Sequence, residues 1–214
     1  MVRCQHQLME ILDVKSINKC FVFILPSRSG SVSNLDLDNC GLRGTLHNLN
    51  FSSLPNLLTL NLYNNSLYGT IPINIEIGLL TSLNDLQLAI NSLTGPIPPS
   101  HRLGTNNLTG PIPHSIGNLR NLTTLYLYEN KLSGSIPQEI GLLTSLNDLE
   151  LRTNSLTGPI PPSIGNLRNL TTLYLFENEL SGSIPQEIGL LTSLNDLKLE
   201  TNSLTSSIPP SIET

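Results

Sequence analysis

The residues able to carry out chemistry are few and scattered. The four histidines are His6, His47, His101 and His114, and the three cysteines are Cys4, Cys20 and Cys40. The histidines share no spacing with carboxylates or cysteines, and the cysteines form no CxxC pair. We therefore predict no metal, no cofactor and no catalytic residue, with one disulfide and one odd thiol left open.

Other kinds of site are excluded by motif and charge. The chain has no phosphate-binding glycine loop, no "HRD" and no "DFG", so we expect neither a kinase domain nor an enzyme. Its net charge is −5, and the 11 Lys and Arg residues are scattered singly, which argues against nucleic acid as a partner. Residues 1 to 25 contain only the short apolar run "FVFIL", so we expect no secretion signal, no anchor and no direct membrane insertion by this chain.

A repeated phrase, LxLxxNxL, dominates the sequence. Its asparagine column is Asn65, Asn91, Asn106, Asn130, Asn154, Asn178 and Asn202, with Cys40 ahead of it. Successive members are 24 to 26 residues apart, except for 15 between Asn91 and Asn106. Fixed periods of this length are typical of solenoids.

The repeat predicts one short strand per unit. Leu125 and Leu127 alternate with Tyr126 and Tyr128, so the leucines face one side and the tyrosines the other. A single unit cannot bury its leucines, but parallel stacking of units makes a continuous core and a parallel sheet.

Three other columns receive structural roles. We expect each asparagine to bond backbone groups where the chain turns, and Cys40 to do so only weakly. The isoleucine of "GxIP" supplies a second inward residue. The glycine of "IG" is predicted to adopt a positive φ. These glycines are Gly78, Gly117, Gly141, Gly165 and Gly189.

The 15-residue interval is too short to circle the cross-section, since known coils take about 20 to 29 residues. We predict that residues 92 to 121 form one oversized coil with a looped-out excursion, so that the strand at 86 to 88 pairs with that at 125 to 127. His101 is expected to face solvent. The alternative is a break that separates two short stacks.

These phrases resemble the plant-specific class of leucine-rich repeat over residues 32 to 214. Residues 30 to 72, from "GSVSNLDLDNC" to "GTIP", look like the opening of plant leucine-rich-repeat receptor-like kinase ectodomains. The resemblance implies an α/β-type, curved repeat solenoid with a parallel sheet on the concave face and extended or 3₁₀ turns on the convex face. Residues 1–31 are then a degenerate N-terminal flank or cap, and residues 32–214 are repeats with a shortened unit around 98–113.

The ends depart from the family pattern. Residues 19 to 30 lack the tryptophan and paired cysteines of a usual cap, and "IPPSIET" stops within a unit without a C-terminal cap. We therefore expect a fragment or a decayed copy of a longer receptor.

The concave face is the predicted ligand-binding surface, because residues one unit apart become lateral neighbours on it. The predicted residues are Tyr126, Tyr128, Asp148, Glu150, Arg152, Tyr174, Phe176, Glu177, Asp196, Lys198 and Glu200. The alternative is a solvated face stabilised by its own lateral pairs. Five sequons are candidate glycosylation sites, although the repeat also generates such triplets. They are Asn50, Asn64, Asn107, Asn121 and Asn169.

The resemblance implies a recognition module of a plant cell-surface receptor, at the extracellular face of the plasma membrane. Its partners would be a peptide or protein ligand and a co-receptor with a leucine-rich-repeat ectodomain. Two alternatives remain open: a soluble inhibitor similar to the polygalacturonase-inhibiting proteins, and a truncated product without a function of its own.

Overall fold

The computed structural model describes residues 23–26, 32–46, 57–71, 85–97, 103–205 and 209–210. The chain divides into two compact units. They are Met1–Pro98 with Thr105–Asn107, and Pro99–Gly104 with Leu108–Thr214. Short parallel strands recur through the described parts of both units, and the described residues contain no helix long and apolar enough to cross a membrane.

The first unit contains two rows of short strands. One row is β1 (Phe23–Pro26), β2 (Val32–Asp36), β4 (Thr59–Asn61) and β6 (Asp85–Gln87). The other is β3 (Arg43–Gly44), β5 (Ser66–Thr70) and β7 (Ser92–Gly95). All pairs are parallel except β1 with β2, which is antiparallel. Because β1 pairs with the edge of β2 opposite β4, Phe23–Pro26 covers an edge that would otherwise be unpaired.

The second unit repeats this plan with a third kind of element. Its first sheet is β9 (Thr124–Tyr126), β11 (Asp148–Glu150), β13 (Thr172–Tyr174) and β15 (Asp196–Lys198). Its second sheet is β8 (Asn107–Gly110), β10 (Lys131–Gly134), β12 (Ser155–Gly158), β14 (Glu179–Gly182) and β16 (Ser203–Leu204). Its 3₁₀ helices are His114–Asn118, Gln138–Leu142, Pro162–Asn166 and Gln186–Leu190. The parallel sheet and the 3₁₀ turns confirm the predicted fold class, whereas the second sheet was predicted only as extended chain.

The core is the stack of inward leucines. The strand leucines of the second unit with no exposed surface are Leu125, Leu127, Leu149, Leu151, Leu173 and Leu175. The isoleucines of the "GxIP" phrase close the opposite side, and Ile112, Ile136 and Ile160 are each at most 3% exposed. A fully buried side chain of this size contributes about 1.5 to 3 kcal/mol, so the repeated phrase itself supplies the core.

The asparagine column bonds each coil to the preceding one. The Nδ2 of Asn154 donates to the Leu127 carbonyl of the preceding coil at 3.0 Å, and its Oδ1 accepts the Leu132 N–H at 3.0 Å. The same Nδ2 also donates to the Leu151 and Arg152 carbonyls of its own coil. These bonds satisfy buried backbone groups where the chain leaves the strand. Corresponding bonds are made by Asn65, Asn91, Asn106, Asn130, Asn178 and Asn202.

Cys40, at the head of this column, is buried and disulfide-bonded. Cys4 and Cys20 lie outside the described residues.

The short interval is stacked, and the predicted looped-out excursion is wrong. Leu103 is fully buried, and its N–H donates to the Tyr126 carbonyl at 2.8 Å. The Nδ2 of Asn130 donates to the Leu103 carbonyl at 3.0 Å, and the Leu108 N–H donates to Asn130 Oδ1 at 3.0 Å. Within the second unit, Leu103 therefore lies beside the Tyr126 strand, where the strand at 86 to 88 was predicted.

The physical reason lies in which part of the repeat is missing. The segment "LGTNNL" at 103 to 108 keeps the last leucine and the asparagine of the strand phrase, so both can occupy their usual places. The missing residues belong to the climb between coils and to the first strand leucines. His101 and the rest of residues 98–102 lie outside the described residues.

The predicted positive φ is also wrong for the "IG" glycines that the structure describes. Positive φ occurs at the glycine of "LxGxIP", for example Gly134 at 72°. Gly141 is instead required by close stacking, because a Cβ there would lie 2.4 Å from the Ser163 carbonyl oxygen in the next coil. Gly117 and Gly165 meet the next coil in the same way, and Gly78 lies outside the described residues.

Candidate ligand-binding face

The strand register of the second unit aligns one predicted column of side chains. Tyr126 pairs with Glu150, Glu150 with Tyr174, and Tyr174 with Lys198. All four point away from the leucine core and are half-buried. We call the outward surface of β9, β11, β13 and β15, with the four residues that follow each strand, the first-sheet face.

The second predicted column runs beside the first and places a cation between two rings. The Arg152 guanidinium carbon lies 4.2 Å from the centroid of the Tyr128 ring and 5.7 Å from that of Phe176. Both distances are within the range of cation–π attraction, about 6 Å. Tyr126 packs against Tyr128, and Tyr174 against Phe176, each with 6.1 Å between ring centroids.

Arg152 is held further by two carboxylates. Its Nη1 lies 2.8 Å from Glu129 Oε1, and its Nε lies 3.5 Å from Glu150 Oε2. Burial lowers the pKa of Arg152, but the hydrogen bonds and charges of the two glutamates outweigh it and raise that pKa above its ordinary value. The guanidinium therefore stays charged and fixed at the centre of the face. Glu129 was absent from the predicted site, although it occupies the same column as the predicted Glu177.

Gly104 is a second residue that the prediction lacked. A Cβ on Gly104 would lie 2.6 Å from the Tyr128 ring, so the ring lies directly over this glycine. Gly104 is the member of the Tyr128 column contributed by the short unit. The absence of a side chain there provides the space in which Tyr128 packs, and Tyr128 in turn supports Arg152.

Three carboxylates on this face accept hydrogen bonds from hydroxyl groups. The Tyr174 hydroxyl donates to Asp196, which raises the pKa of Tyr174. The Thr153 hydroxyl donates to Glu177 at 2.8 Å. The Thr171 hydroxyl donates to Asp148 at 3.3 Å.

The first-sheet face carries more acid than base. Its carboxylates are Glu129, Asp148, Glu150, Glu177, Asp196 and Glu200, and its cations are Arg152 and Lys198. The Lys198 Nζ lies 4.5 Å from the Tyr174 ring centroid. Both cations therefore lie against rings of the protein itself, and the face has a negative balance.

Glu150 is a largely buried carboxylate of this face. Its burial is the largest influence and raises its pKa above the ordinary value, against the lowering effect of Arg152. Its side chain is 19% exposed, between the half-buried Tyr126 and Tyr174.

The predicted glycosylation sites form a separate group of candidate residues. Asn64, Asn107, Asn121 and Asn169 are exposed, and Asn50 lies outside the described residues. The Nδ2 of Asn169 donates to the Thr144 carbonyl and that of Asn64 to Asn39 Oδ1, so two of the sequon amides are engaged.

His114 pairs with Glu139 at 2.8 Å, and this contact lowers the pKa of Glu139. His6, His47 and His101 lie outside the described residues. Among the residues that the structure does describe, no group of three or more His, Cys, Asp and Glu could hold a metal ion.

Comparison with protein-family profiles gives two matches. A profile described as a leucine-rich repeat region matches residues 102–212, and one described as a leucine-rich repeat matches residues 56–76. The first match covers more than half of the chain. A search of curated protein sequences finds no match.

Solved structures of plant receptors are similar to this chain. The peptide hormone receptor RGFR1, solved in complex with RGF2, is 35% identical over 84% of this chain, with a TM-score of 0.79. The ectodomain of the Arabidopsis receptor kinase HAESA, solved with the peptide hormone IDA and the co-receptor SERK1, is 28% identical over 98%, with a TM-score of 0.74. The chain spans 30% and 42% of those two chains.

One similar structure is not a receptor, and this chain covers a larger share of it than of RGFR1 or HAESA. A plant ice-binding protein is 26% identical over 86% of this chain and 76% of its own, with a TM-score of 0.60.

Proposed function

The chain belongs to the leucine-rich-repeat family, and on that premise we propose that its second unit is a recognition module that binds a peptide or protein ligand on the first-sheet face. The observation that carries this proposal is the fixed Arg152 between Tyr128 and Phe176. Rings and arginine are the residues that dominate binding energy at protein interfaces. Because these side chains are already ordered by their neighbours, the protein loses little further conformational freedom when a ligand contacts them.

The similar receptors support the same function. RGFR1 and HAESA were solved with peptide hormones, and HAESA also with a co-receptor. We extend this to the present chain as a proposal: a peptide or protein ligand, a co-receptor ectodomain as second partner, and a role in signalling in development or defence.

The disulfide at Cys40 supports an extracellular location, at the outer face of the plasma membrane, because disulfides persist in oxidising compartments.

A peptide library selection tests the proposal without a known ligand. The full chain is immobilised, peptides are selected from a random phage-displayed library, and their affinities are measured against Arg152→Ala and Phe176→Ala. We expect losses of at least tenfold, about 1.4 kcal/mol, as for central interface residues.

The matched control is Thr157→Ala, an exposed residue of the second sheet. Circular dichroism verifies that each variant is folded. Selected peptides that bind both first-sheet variants within twofold of the unmodified chain would refute the proposal.

A second candidate function rests on the second sheet. Its exposed or half-exposed side chains include the hydroxyls of Thr109, Ser133, Ser155, Thr157, Ser181 and Ser203. Ser133 pairs directly with Ser155, and Ser181 with Ser203, so hydroxyls recur at the strand spacing of about 4.8 Å. With the similarity to a plant ice-binding protein, this arrangement favours binding to an ordered water lattice.

Inhibition of ice recrystallisation by the purified chain tests this second function. Thr157→Lys should abolish the inhibition, because a long charged side chain would stand in the hydroxyl surface. Arg152→Ala, on the other face, should leave it intact. If the purified chain inhibits ice recrystallisation no better than albumin does, this function is excluded.

A further inference from the structure

Two of the five sequons lie in identical local sequence. Residues 115–127 and 163–175 both read SIGNLRNLTTLYL, with Asn121 and Asn169 at the same place in each. Both asparagines are exposed, and each lies in the turn between a 3₁₀ helix and a strand of the first sheet. A difference between the two sites therefore comes from the coil that precedes each of them, and not from the sequon itself.

At Asn169 the preceding coil binds both polar groups of the sequon. The Asn169 Nδ2 donates to the Thr144 carbonyl at 2.9 Å. The Thr171 hydroxyl donates to the Asn147 carbonyl at 3.0 Å and lies 3.3 Å from Asp148 Oδ1. The acceptor amide of an N-x-[ST] sequon is the group that a glycosylating enzyme modifies, and the hydroxyl is part of the motif that it recognises. An enzyme can reach this sequon only after these hydrogen bonds have broken.

At Asn121 both groups are accessible. The Asn121 amide and the Thr123 hydroxyl form no hydrogen bond with any residue that the structure describes. Both side chains are exposed, whereas Thr171 is half-buried. The second sequon is thus held by the fold, and the first is not.

The short unit explains this difference. It is the coil beside β9, because the Leu103 N–H donates to the Tyr126 carbonyl. Only two residues lie between Ser100 and Leu103, whereas eleven lie between their counterparts Glu139 and Leu151 in the coil before the second site. Those eleven include both carbonyl acceptors of the second site. The short unit lacks the corresponding residues, so it offers no such acceptors to the first site.

The other described sequons fit an acceptor site less well. Asn107 lies within β8, whose backbone is paired with β10, whereas acceptor sequons belong to surface loops. The Asn64 amide donates to Asn39 Oδ1. Among the sequons that the structure describes, Asn121 combines a turn with an amide and a hydroxyl that the fold does not bind.

From this difference we infer that Asn121 is the N-glycosylation site of the second unit, and that the fold protects Asn169 once its coil has formed. The donor is an oligosaccharide joined through a diphosphate to a lipid. The Asn121 amide nitrogen bonds to the first sugar carbon as the bond from that carbon to the diphosphate breaks. The lipid diphosphate leaves, and the amide loses one proton. In cells this transfer rests on the extracellular location proposed above.

The test uses the folded full chain, produced in bacteria without a glycan and verified by circular dichroism. It is incubated with a purified single-subunit oligosaccharyltransferase that accepts N-x-[ST] sequons and with a lipid diphosphate oligosaccharide. Mass spectrometry follows the two sites separately, since trypsin releases peptides that end at Lys131 and Lys198. The unstructured reference is the blocked peptide SIGNLRNLTTLYL, which represents both sites.

We expect Asn121 in the folded chain to react at least about tenfold faster than Asn169, because several hydrogen bonds have to break at the second site. Its rate should approach that of the free peptide. Asn121→Gln and Thr123→Val should remove most of the modification. The matched control is Asn169→Gln, which should leave the rate at Asn121 unchanged.

Two results would overturn the inference. One is equal or faster reaction at Asn169 in the folded chain. The other is a folded chain in which Asn121 does not react although the free peptide does. Neither result bears on ligand recognition, which the peptide selection tests on unglycosylated protein, so failure of one proposal is distinguishable from failure of the other.

Discussion

Replacing Asn178 by alanine should destabilise the second unit more than any surface change. Asn178 is 9% exposed, and its Nδ2 donates to the carbonyls of Leu151 and Leu175 at 3.0 and 3.1 Å. Its Oδ1 accepts the Leu156 N–H at 3.0 Å. Alanine removes all of these bonds.

The expected loss follows from these partners. The Leu151 and Leu175 carbonyls keep the Nδ2 groups of Asn154 and Asn202 as donors, so the main cost is the unsatisfied buried N–H at Leu156. The free energy of unfolding should therefore fall by about 1 to 3 kcal/mol, a large share of the roughly 5 to 15 kcal/mol typical of a domain.

Urea unfolding followed by circular dichroism measures this loss, and hydrogen exchange measures its location. The amide of Leu156 should exchange much faster in Asn178→Ala. The matched control is Asn195→Ala, an exposed asparagine before β15, which should change stability by less than about 0.5 kcal/mol. A loss below 1 kcal/mol, or unchanged protection at Leu156, would refute the assigned role of the asparagine column.

Four further outcomes are expected. Ile90 has a φ of 54°, which is strained for a β-branched residue, so Ile90→Asn should raise the free energy of unfolding by about 1 kcal/mol. An unchanged free energy of unfolding in urea would show that the backbone is not strained there. Gly141→Ala should lower the thermal midpoint by several degrees, because its Cβ would meet the Ser163 carbonyl at 2.4 Å; an unchanged midpoint would show that the stack can move apart. The Leu103 amide should be protected from exchange, and fast exchange would return the short unit to a looped-out path. The pKa of Glu150 is raised in the folded state, so its ionisation lowers the free energy of unfolding as the pH rises from the unfolded-state pKa to the folded-state pKa. Glu150→Gln lacks this group and should therefore become more stable than the unmodified chain over that pH range. A difference in stability that shrinks as the pH rises would contradict the prediction.

The repeat phrase was sufficient to predict the core, the parallel strands and the column of bonded asparagines. Each coil contacts only its neighbours, and from Asn106 to Asn202 the interval is constant, so counting 24 residues forward there identifies the lateral partner of a side chain. For this reason the ring columns of Tyr126 and Tyr128 were predicted from the sequence, and the register of β9, β11 and β13 agrees with them.

The sequence predicts the order of the coils but not the distance between them. Contacts that depend on this distance could be identified only from the tertiary structure. A glycine needed for φ and a glycine needed for space look alike in a sequence, and only the 2.4 Å approach at Gly141 separates them. The pairing of Arg152 with Glu129 rather than more closely with Glu150 depends on how two carboxylates compete for one guanidinium. The place of Leu103 in the stack depends on which half of a coil can be shortened. The period of the repeat predicts which residues are neighbours in adjacent coils. Side-chain geometry and backbone separation decide with which of these neighbours a residue forms a hydrogen bond or ion pair.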